Sequence, residues 1–153
     1  MEQTLIAEVR KSAEESFLSG LYCAESIILA IAKAQGVKSS LIPKVATAFC
    51  SGMACSHGAC GALTGAVMGV SLVLGRSTPG ESVQPSYTAA QRVIQEFETR
   101  FGDRDCQVLL GGCDLNTPEG QNMYVEKKLG ERCLQFVGKA AEIAARVIVE
   151  SKG

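Results

Sequence analysis

Cysteine is the residue type through which this sequence could carry out chemistry. The chain of 153 residues has seven cysteines but a single histidine, His57. The cysteines are Cys23, Cys50, Cys55, Cys60, Cys106, Cys113 and Cys133. Thiolates bind soft metal ions, hold iron–sulfur clusters and attack disulfides. No two of the seven have the CxxC spacing of a thioredoxin-type dithiol or a zinc knuckle, so a shared site must be assembled by the fold from distant parts of the chain.

Cys60 is the first candidate for a reactive thiol. It follows the glycine-containing stretch SHGA and directly precedes an apolar segment without charged residues. A thiol at the N-terminus of a helix faces unpaired N–H groups and the positive end of the helix dipole, and both favour the thiolate. We therefore expect Cys60 to be the thiolate that binds a metal or attacks a disulfide.

Three further cysteines lie in or beside predicted helices. Cys23 and Cys133 fall on the apolar stripes of two helices, and Cys106 lies in a short element just after a helix end. The alternative interpretation is that such residues only fill the core, because free cysteine is among the most buried residue types.

The stretch CSGMACSHGAC places Cys50, Cys55 and Cys60 five residues apart. Its glycine and serine content predicts a loop, in which these cysteines and His57 could form a second, thiolate–imidazole site. Cys113 lies in another predicted loop and is expected to be an exposed or incidental thiol.

The spacing of apolar residues predicts the elements that must position these side chains. Helical periodicity runs through most of the chain, and no stretch alternates with the period of two that is typical of a strand. Residues 45–75 contain no charged side chain, and Gly61, Gly65 and Gly69 form one ridge that lets another backbone come close. The prediction is an all-α fold: a single domain over residues 1–153, with about five main helices bundled around a buried, glycine-rich central helix.

The predicted helices have limits that follow from caps and glycines. They run from the N-terminus to Gly20, from Cys23 to Ala34, from Ser40 to Phe49, along the central segment after Cys60, from about 86 to 101, and from about 126 to 149. The segment GGCDLNTPEGQN between the last two is predicted to be a loop.

Two features of the sequence predict the cellular compartment: the length of its apolar segment and the charges of its first residues. The uninterrupted apolar part of the central segment is shorter than the roughly 20 residues that cross a bilayer, so we expect no membrane span. The first residues carry charges of both signs and no apolar signal-peptide core. We therefore expect a cytoplasmic protein with reduced thiols.

Composition excludes several classes of function. A net charge of −1, the absence of Trp and 5% aromatic residues argue against nucleic-acid binding. One histidine cannot build a bis-histidine haem site, a two-histidine facial triad or an HExxH zinc site. Glu25, Asp103 and Asp105 lie near cysteines but are expected to be helix caps and surface charges rather than acid–base catalysts.

Four cysteine motifs together carry a family resemblance. Residues 60–65 read CGALTG, which matches the pattern CGAxxG; Cys23 lies in YCAESIILA, Cys106 follows FGDRD, and Cys133 lies in ERCLQFVGKAAEIA. In this order they resemble the C_GCAxxG_C_C family of redox-active proteins over roughly residues 15 to 148. That family is also similar to the C-terminal region of split-Soret cytochromes. The haem-binding CxxCH of those cytochromes does not occur here.

The resemblance implies a small, mainly helical protein with the signature cysteines Cys23, Cys60, Cys106 and Cys133. The split-Soret relatives imply an iron–sulfur cluster at such a set. Family members are often encoded beside transporters, which implies a membrane transport system as a partner. Cys50, Cys55 and Cys113 are not part of the signature.

Three functions remain open at this point. The four signature cysteines could bind an iron–sulfur cluster, or zinc as the alternative, for electron transfer or redox sensing with an unknown redox partner. The protein could instead be an enzyme, a thiol–disulfide oxidoreductase in which Cys60 attacks and another signature cysteine resolves. It could also be a non-catalytic helical interaction module that is attached to a transporter and forms a homodimer.

Overall fold

A computed structural model describes residues 1–152, and Gly153, the last residue of the predicted domain, lies outside the described residues. A 3-10 segment spans Lys44–Phe49. The helices are α1 (Glu2–Leu18), α2 (Cys23–Ala34), α3 (Cys50–Cys55), α4 (Gly61–Leu74), α5 (Gln84–Phe101), α6 (Cys106–Leu109), α7 (Pro118–Glu126) and α8 (Gly130–Lys152). Residues 1–152 contain no β-strand, only an isolated bridge between Ala59 and Asp105. The predicted all-α fold is confirmed.

The bundle consists of the five long helices α1, α2, α4, α5 and α8. Helix α4 lies at its centre, because it packs against α2, α5 and α8, whereas α1 covers α2 and α8. The first three turns of α4 are largely buried, and its last turn reaches the surface at Leu72. No helix within residues 1–152 combines the length and the apolar character needed to cross a membrane.

The glycine ridge of α4 faces α2. A Cβ atom added to Gly65 would lie 2.7 Å from the Cα of Ala24, which is too close for any side chain. A Cβ added to Gly61 would lie 3.1 Å from the Cβ of Cys23. The glycines therefore let the two backbones touch, and this contact brings the beginning of α4, with Cys60, close to the beginning of α2.

Helix α7 occupies part of the segment that the sequence analysis predicted to be a loop. Thr117 caps it, since the hydroxyl of Thr117 accepts a hydrogen bond from the N–H of Gly120 at 2.9 Å. Pro118 is the first helical residue, where its missing N–H costs nothing. Gly120 is needed inside the helix because a Cβ there would overlap the carbonyl group of Asp114. Proline and glycine thus build this helix although they usually mark loops.

The single turn α3 is left-handed. Ser51, Gly52, Met53, Ala54 and Cys55 all have φ between 57° and 69°. Each non-glycine residue in that conformation costs about 1–2 kcal/mol. The carbonyl of Gly52 accepts hydrogen bonds from the N–H groups of Ser56 and Gly58, at 3.2 and 2.8 Å, which close the turn. The predicted loop is therefore an ordered and strained segment.

Candidate functional site

One cavity gathers five of the seven cysteines from distant parts of the chain. It has a volume of about 390 Å³ and lies where the N-terminal ends of α2, α4, α6 and α8 meet. Cys23, Cys60, Cys106 and Cys133 all line it, and so does Cys55. The rest of the lining is mostly apolar or aromatic and includes Phe17, Leu110, Leu115, Tyr124 and Phe136.

Each signature cysteine lies at the beginning of its helix. Cys23 is the first residue of α2, Cys60 is the N-cap of α4, Cys106 is the first residue of α6, and Cys133 lies in the first turn of α8. Helix N-termini present unpaired N–H groups and the positive ends of helix dipoles. The cavity therefore lies among backbone groups that stabilise negative charge.

Backbone hydrogen bonds connect the segments that carry Cys60 and Cys106. The N–H of Cys60 donates to the carbonyl of Arg104 at 2.7 Å, and the N–H of Cys106 donates to the carbonyl of Gly58 at 3.1 Å. These bonds fix the chain on both sides of the isolated bridge. The relative position of the two cysteines is thus set by main-chain contacts rather than by their side chains.

The acidic residues near the cysteines stabilise backbone turns, as predicted. The carboxylate of Glu25 accepts from the N–H of Tyr22 at 2.9 Å and caps α2. The carboxylate of Asp105 accepts from the N–H of Val108 and caps α6. Asp103 accepts from two N–H groups of the loop before α6. None of these three acidic side chains lines the cavity.

Cys23 and Cys133 shift each other's pKa in opposite directions. The interaction with the Cys23 thiol, assisted by the Tyr124 hydroxyl, stabilises the thiolate of Cys133 and lowers its pKa, although burial opposes this effect. The same interaction, followed by burial, raises the pKa of Cys23 well above its usual value. Among the four signature cysteines, Cys133 is therefore the one whose pKa is lowered.

The expectation that Cys60 is a thiolate in the free protein is wrong. The N–H groups of Ala62 and Leu63 bond to its sulfur and lower its pKa, as the helix terminus predicted, but burial outweighs them and raises the pKa to about 12. Burial also raises the pKa of Cys106 to about 12, and repulsion between its thiolate and those of Cys60 and Cys133 adds to the increase. The free-energy cost of removing a thiolate from water is larger here than the stabilisation that the helix terminus provides.

Two cysteines outside the signature are packed in the interior. Cys50 lies in a separate apolar cluster with Ala46, and its thiol lies 3.6 Å from the carbonyl of Ala46. Cys113 is 1% exposed, and its thiol donates to the carbonyl of Gly120 at 3.0 Å. The prediction of an exposed Cys113 is thus wrong, because α7 covers this residue.

The proposed grouping of Cys50, Cys55, Cys60 and His57 does not form. Cys55 and Cys60 line the same cavity, but Cys50 is packed in a separate apolar cluster, and the Nε2 of His57 lies 3.1 Å from a carboxylate oxygen of Asp114. Across residues 1–152, no three or more His, Cys, Asp or Glu side chains are close enough together to hold one metal ion. The four signature cysteines likewise contain no group of three that could hold one metal ion.

Tyr124 is a site residue that the sequence analysis missed. Burial and the adjacent Cys133 raise the pKa of its phenol above the usual value, so the hydroxyl stays protonated and acts as a donor. Tyr124 reaches the cavity only because α7 exists, and the loop-like composition of that segment hid it.

Comparisons with known proteins place the chain in a family. No curated protein and no solved structure matches it. The sequence model of one family matches residues 21–147, a range that includes all four signature cysteines and most of the bundle. The chain therefore belongs to the C_GCAxxG_C_C family, whose description is "Putative redox-active protein (C_GCAxxG_C_C)".

Proposed function

We propose that the cavity binds an iron–sulfur cluster through the thiolates of Cys23, Cys60, Cys106 and Cys133. The observation that carries this proposal is that four cysteines from distant parts of the chain line one largely apolar cavity of about 390 Å³. Four cysteine thiolates are the usual ligand set of [2Fe–2S] and [4Fe–4S] clusters. A bound cluster would supply one-electron transfer, which suits a role in electron transfer or redox sensing.

Two sets of contacts group the four cysteines in twos. Cys23 and Cys133 influence each other's pKa through their side chains, and backbone hydrogen bonds connect the segments that carry Cys60 and Cys106. In a [2Fe–2S] cluster with four cysteine ligands, each iron binds two of the cysteines. Such a cluster needs no three-ligand group around one ion, whereas a tetrahedral zinc would need all four sulfurs around one centre. The pairing therefore favours a [2Fe–2S] cluster over zinc.

The surrounding groups suit an anionic cluster. The N–H groups of Ala62 and Leu63 and the hydroxyl of Tyr124 donate to ligand sulfurs. Donors of this kind withdraw negative charge from the sulfurs and set the reduction potential. Gly61 has no side chain that would crowd Cys23. The apolar lining limits the access of water to the ligands.

Anaerobic reconstitution with iron and sulfide tests the proposal. We expect charge-transfer absorption and about two irons with two sulfides per chain. Cys60→Ser and Cys106→Ser should abolish this loading, whereas Cys50→Ser, at a buried cysteine outside the cavity, should keep it. Iron-free wild-type protein, or equal loading in Cys60→Ser, would overturn the proposal.

A second function is favoured by the lowered pKa of Cys133 beside Cys23. In this proposal the thiolate of Cys133 attacks a disulfide RSSR and one RS⁻ leaves, and then Cys23 attacks the sulfur of Cys133 and releases the second. The disulfide gains two electrons and the protein forms a Cys23–Cys133 bond. In this proposal Cys133 attacks rather than Cys60, because the pKa of Cys133 is lowered whereas that of Cys60 is raised.

Peptide mapping after exposure to a disulfide separates the two functions. A Cys23–Cys133 disulfide that persists in Cys60→Ser supports the dithiol function, and its absence from the wild type rejects it. The predicted partnership with a membrane transport system, the homodimer and the cytoplasmic location stay predictions.

A further inference from the structure

We propose that Cys55 regulates the cavity by forming a reversible disulfide with Cys106, which takes Cys106 out of the ligand set. Formation of this disulfide depends only on the two cysteines. Its effect on cluster loading rests on the function proposed above.

Position singles out these two cysteines. Cys55 and Cys106 line the large cavity together, and they also line a small neighbouring cavity of about 10 Å³. They are the two cysteines of the chain that are not buried. A reagent that arrives from solvent therefore meets Cys55 and Cys106 before it reaches Cys23, Cys60 or Cys133.

The left-handed turn places Cys55 beside Cys106. Gly52 packs directly on Cys106, since a Cβ added to Gly52 would lie 2.8 Å from the Cβ and 3.5 Å from the Sγ of Cys106. Residues three or four apart share one side of a helical turn. Cys55 follows Gly52 by three positions and Ser51 by four, and Ser51 lines the same two cavities. The strained turn thus presents Cys55 towards the face on which Cys106 lies.

The chemistry is thiol–disulfide exchange with a low-molecular-weight disulfide RSSR. The thiolate of Cys55 attacks one sulfur, which forms a mixed disulfide and releases RS⁻. Cys106 loses its proton and attacks the sulfur of Cys55, which forms the Cys55–Cys106 bond and releases the second RS⁻. The protein loses two electrons and two protons, and the disulfide becomes two RSH. Excess thiol reverses both steps.

Peptide mapping of cluster-free protein treated with oxidised glutathione tests the bond itself. We expect a Cys55–Cys106 cross-link in the wild type and in Cys113→Ser, a variant at the buried cysteine beside the small cavity. Cys55→Ser should leave Cys106 without an intramolecular bond. A link between other cysteines alone, or a Cys55 that remains unpaired or bound only to glutathione, would overturn the inference.

Cluster loading tests the regulation. Oxidised wild-type protein should lose the capacity to take up iron and sulfide, and dithiothreitol should restore it. Cys55→Ser should load equally before and after treatment with oxidised glutathione. Loss of loading in oxidised Cys55→Ser would reject regulation by Cys55. If no variant loads a cluster under any condition, the proposed function fails, while the peptide map still decides whether the disulfide forms.

Discussion

Cys23, the first residue of α2, and Cys133, in the first turn of α8, line the same cavity and shift each other's pKa in opposite directions. Their interaction makes the two thiols unequal, because it raises the pKa of Cys23 and lowers that of Cys133. An unequal pair suits both proposed functions, since the thiol with the lowered pKa more easily becomes the thiolate that ligates iron or attacks a disulfide.

Tyr124→Phe should raise the pKa of Cys133, because it removes one of the two donors to that sulfur. The pH midpoint of Cys133 alkylation, followed by mass spectrometry, should move to higher pH. Tyr87→Phe is the matched control, because Tyr87 is exposed and does not line the cavity. An unchanged midpoint in Tyr124→Phe would show that this hydroxyl does not stabilise the thiolate.

Gly65→Ala should separate α4 from α2. The new methyl group would lie 2.7 Å from the Cα and 2.9 Å from the carbonyl oxygen of Ala24, so the helices must move apart. We expect a loss of about 1–3 kcal/mol in the free energy of unfolding, measured in urea. Gly80→Ala has open space around it and should stay within about 0.5 kcal/mol of the wild type. Equal stability of the two variants would contradict the close packing.

Cys113→Ala should destabilise the fold without affecting cluster loading. It removes a buried thiol that donates to the carbonyl of Gly120. The lost contacts and the unpaired carbonyl should lower the free energy of unfolding by about 1–2 kcal/mol. Cys113→Ser keeps a donor and should lose less. A loss of iron binding in Cys113→Ala at temperatures where it is folded would mean that this cysteine belongs to the site.

Glu96→Gln should lower stability at neutral pH and not at acid pH. Two hydrogen bonds from the guanidinium of Arg146, at 2.9 and 3.2 Å, hold the pKa of this carboxyl below its usual value. A lowered pKa stabilises the fold above the unfolded value of about 4.3, and this contribution is lost as the pH falls through the folded value.

The size of this effect is limited because both side chains are about one-third exposed. We expect about 0.5–1 kcal/mol at pH 7, measured by urea unfolding. The difference from the wild type should disappear as the pH approaches 3. Glu8→Gln, which makes the same change at an exposed position on α1, is the matched control. A difference that stays constant between pH 7 and pH 3 would exclude the ion pair as its cause.

Local patterns were sufficient to predict the five long helices and the central ridge. The glycines of α4 and the apolar stripe of α8 repeat within a few turns, so their faces follow from helix geometry alone. The cap formed by Glu25 is equally local, because its partner is three residues away. The four signature cysteines were proposed from the motifs around them, and all four lie within the residues that the family model matches.

Tertiary contacts decided the chemistry of the site. A helix terminus suggested that Cys60 is ionised, but the burial that raises its pKa comes from side chains on other helices. The pKa of Cys133 is lowered by Cys23 and Tyr124. Cys23 is far from Cys133 in the sequence, and Tyr124 lies in helix α7, which the sequence did not predict. Non-glycine residues rarely adopt the left-handed conformation of the turn that ends at Cys55. Packing of this turn against Cys106 stabilises it. Protonation and proximity depend on the whole surroundings of an atom, whereas helix periodicity depends only on neighbours along the chain.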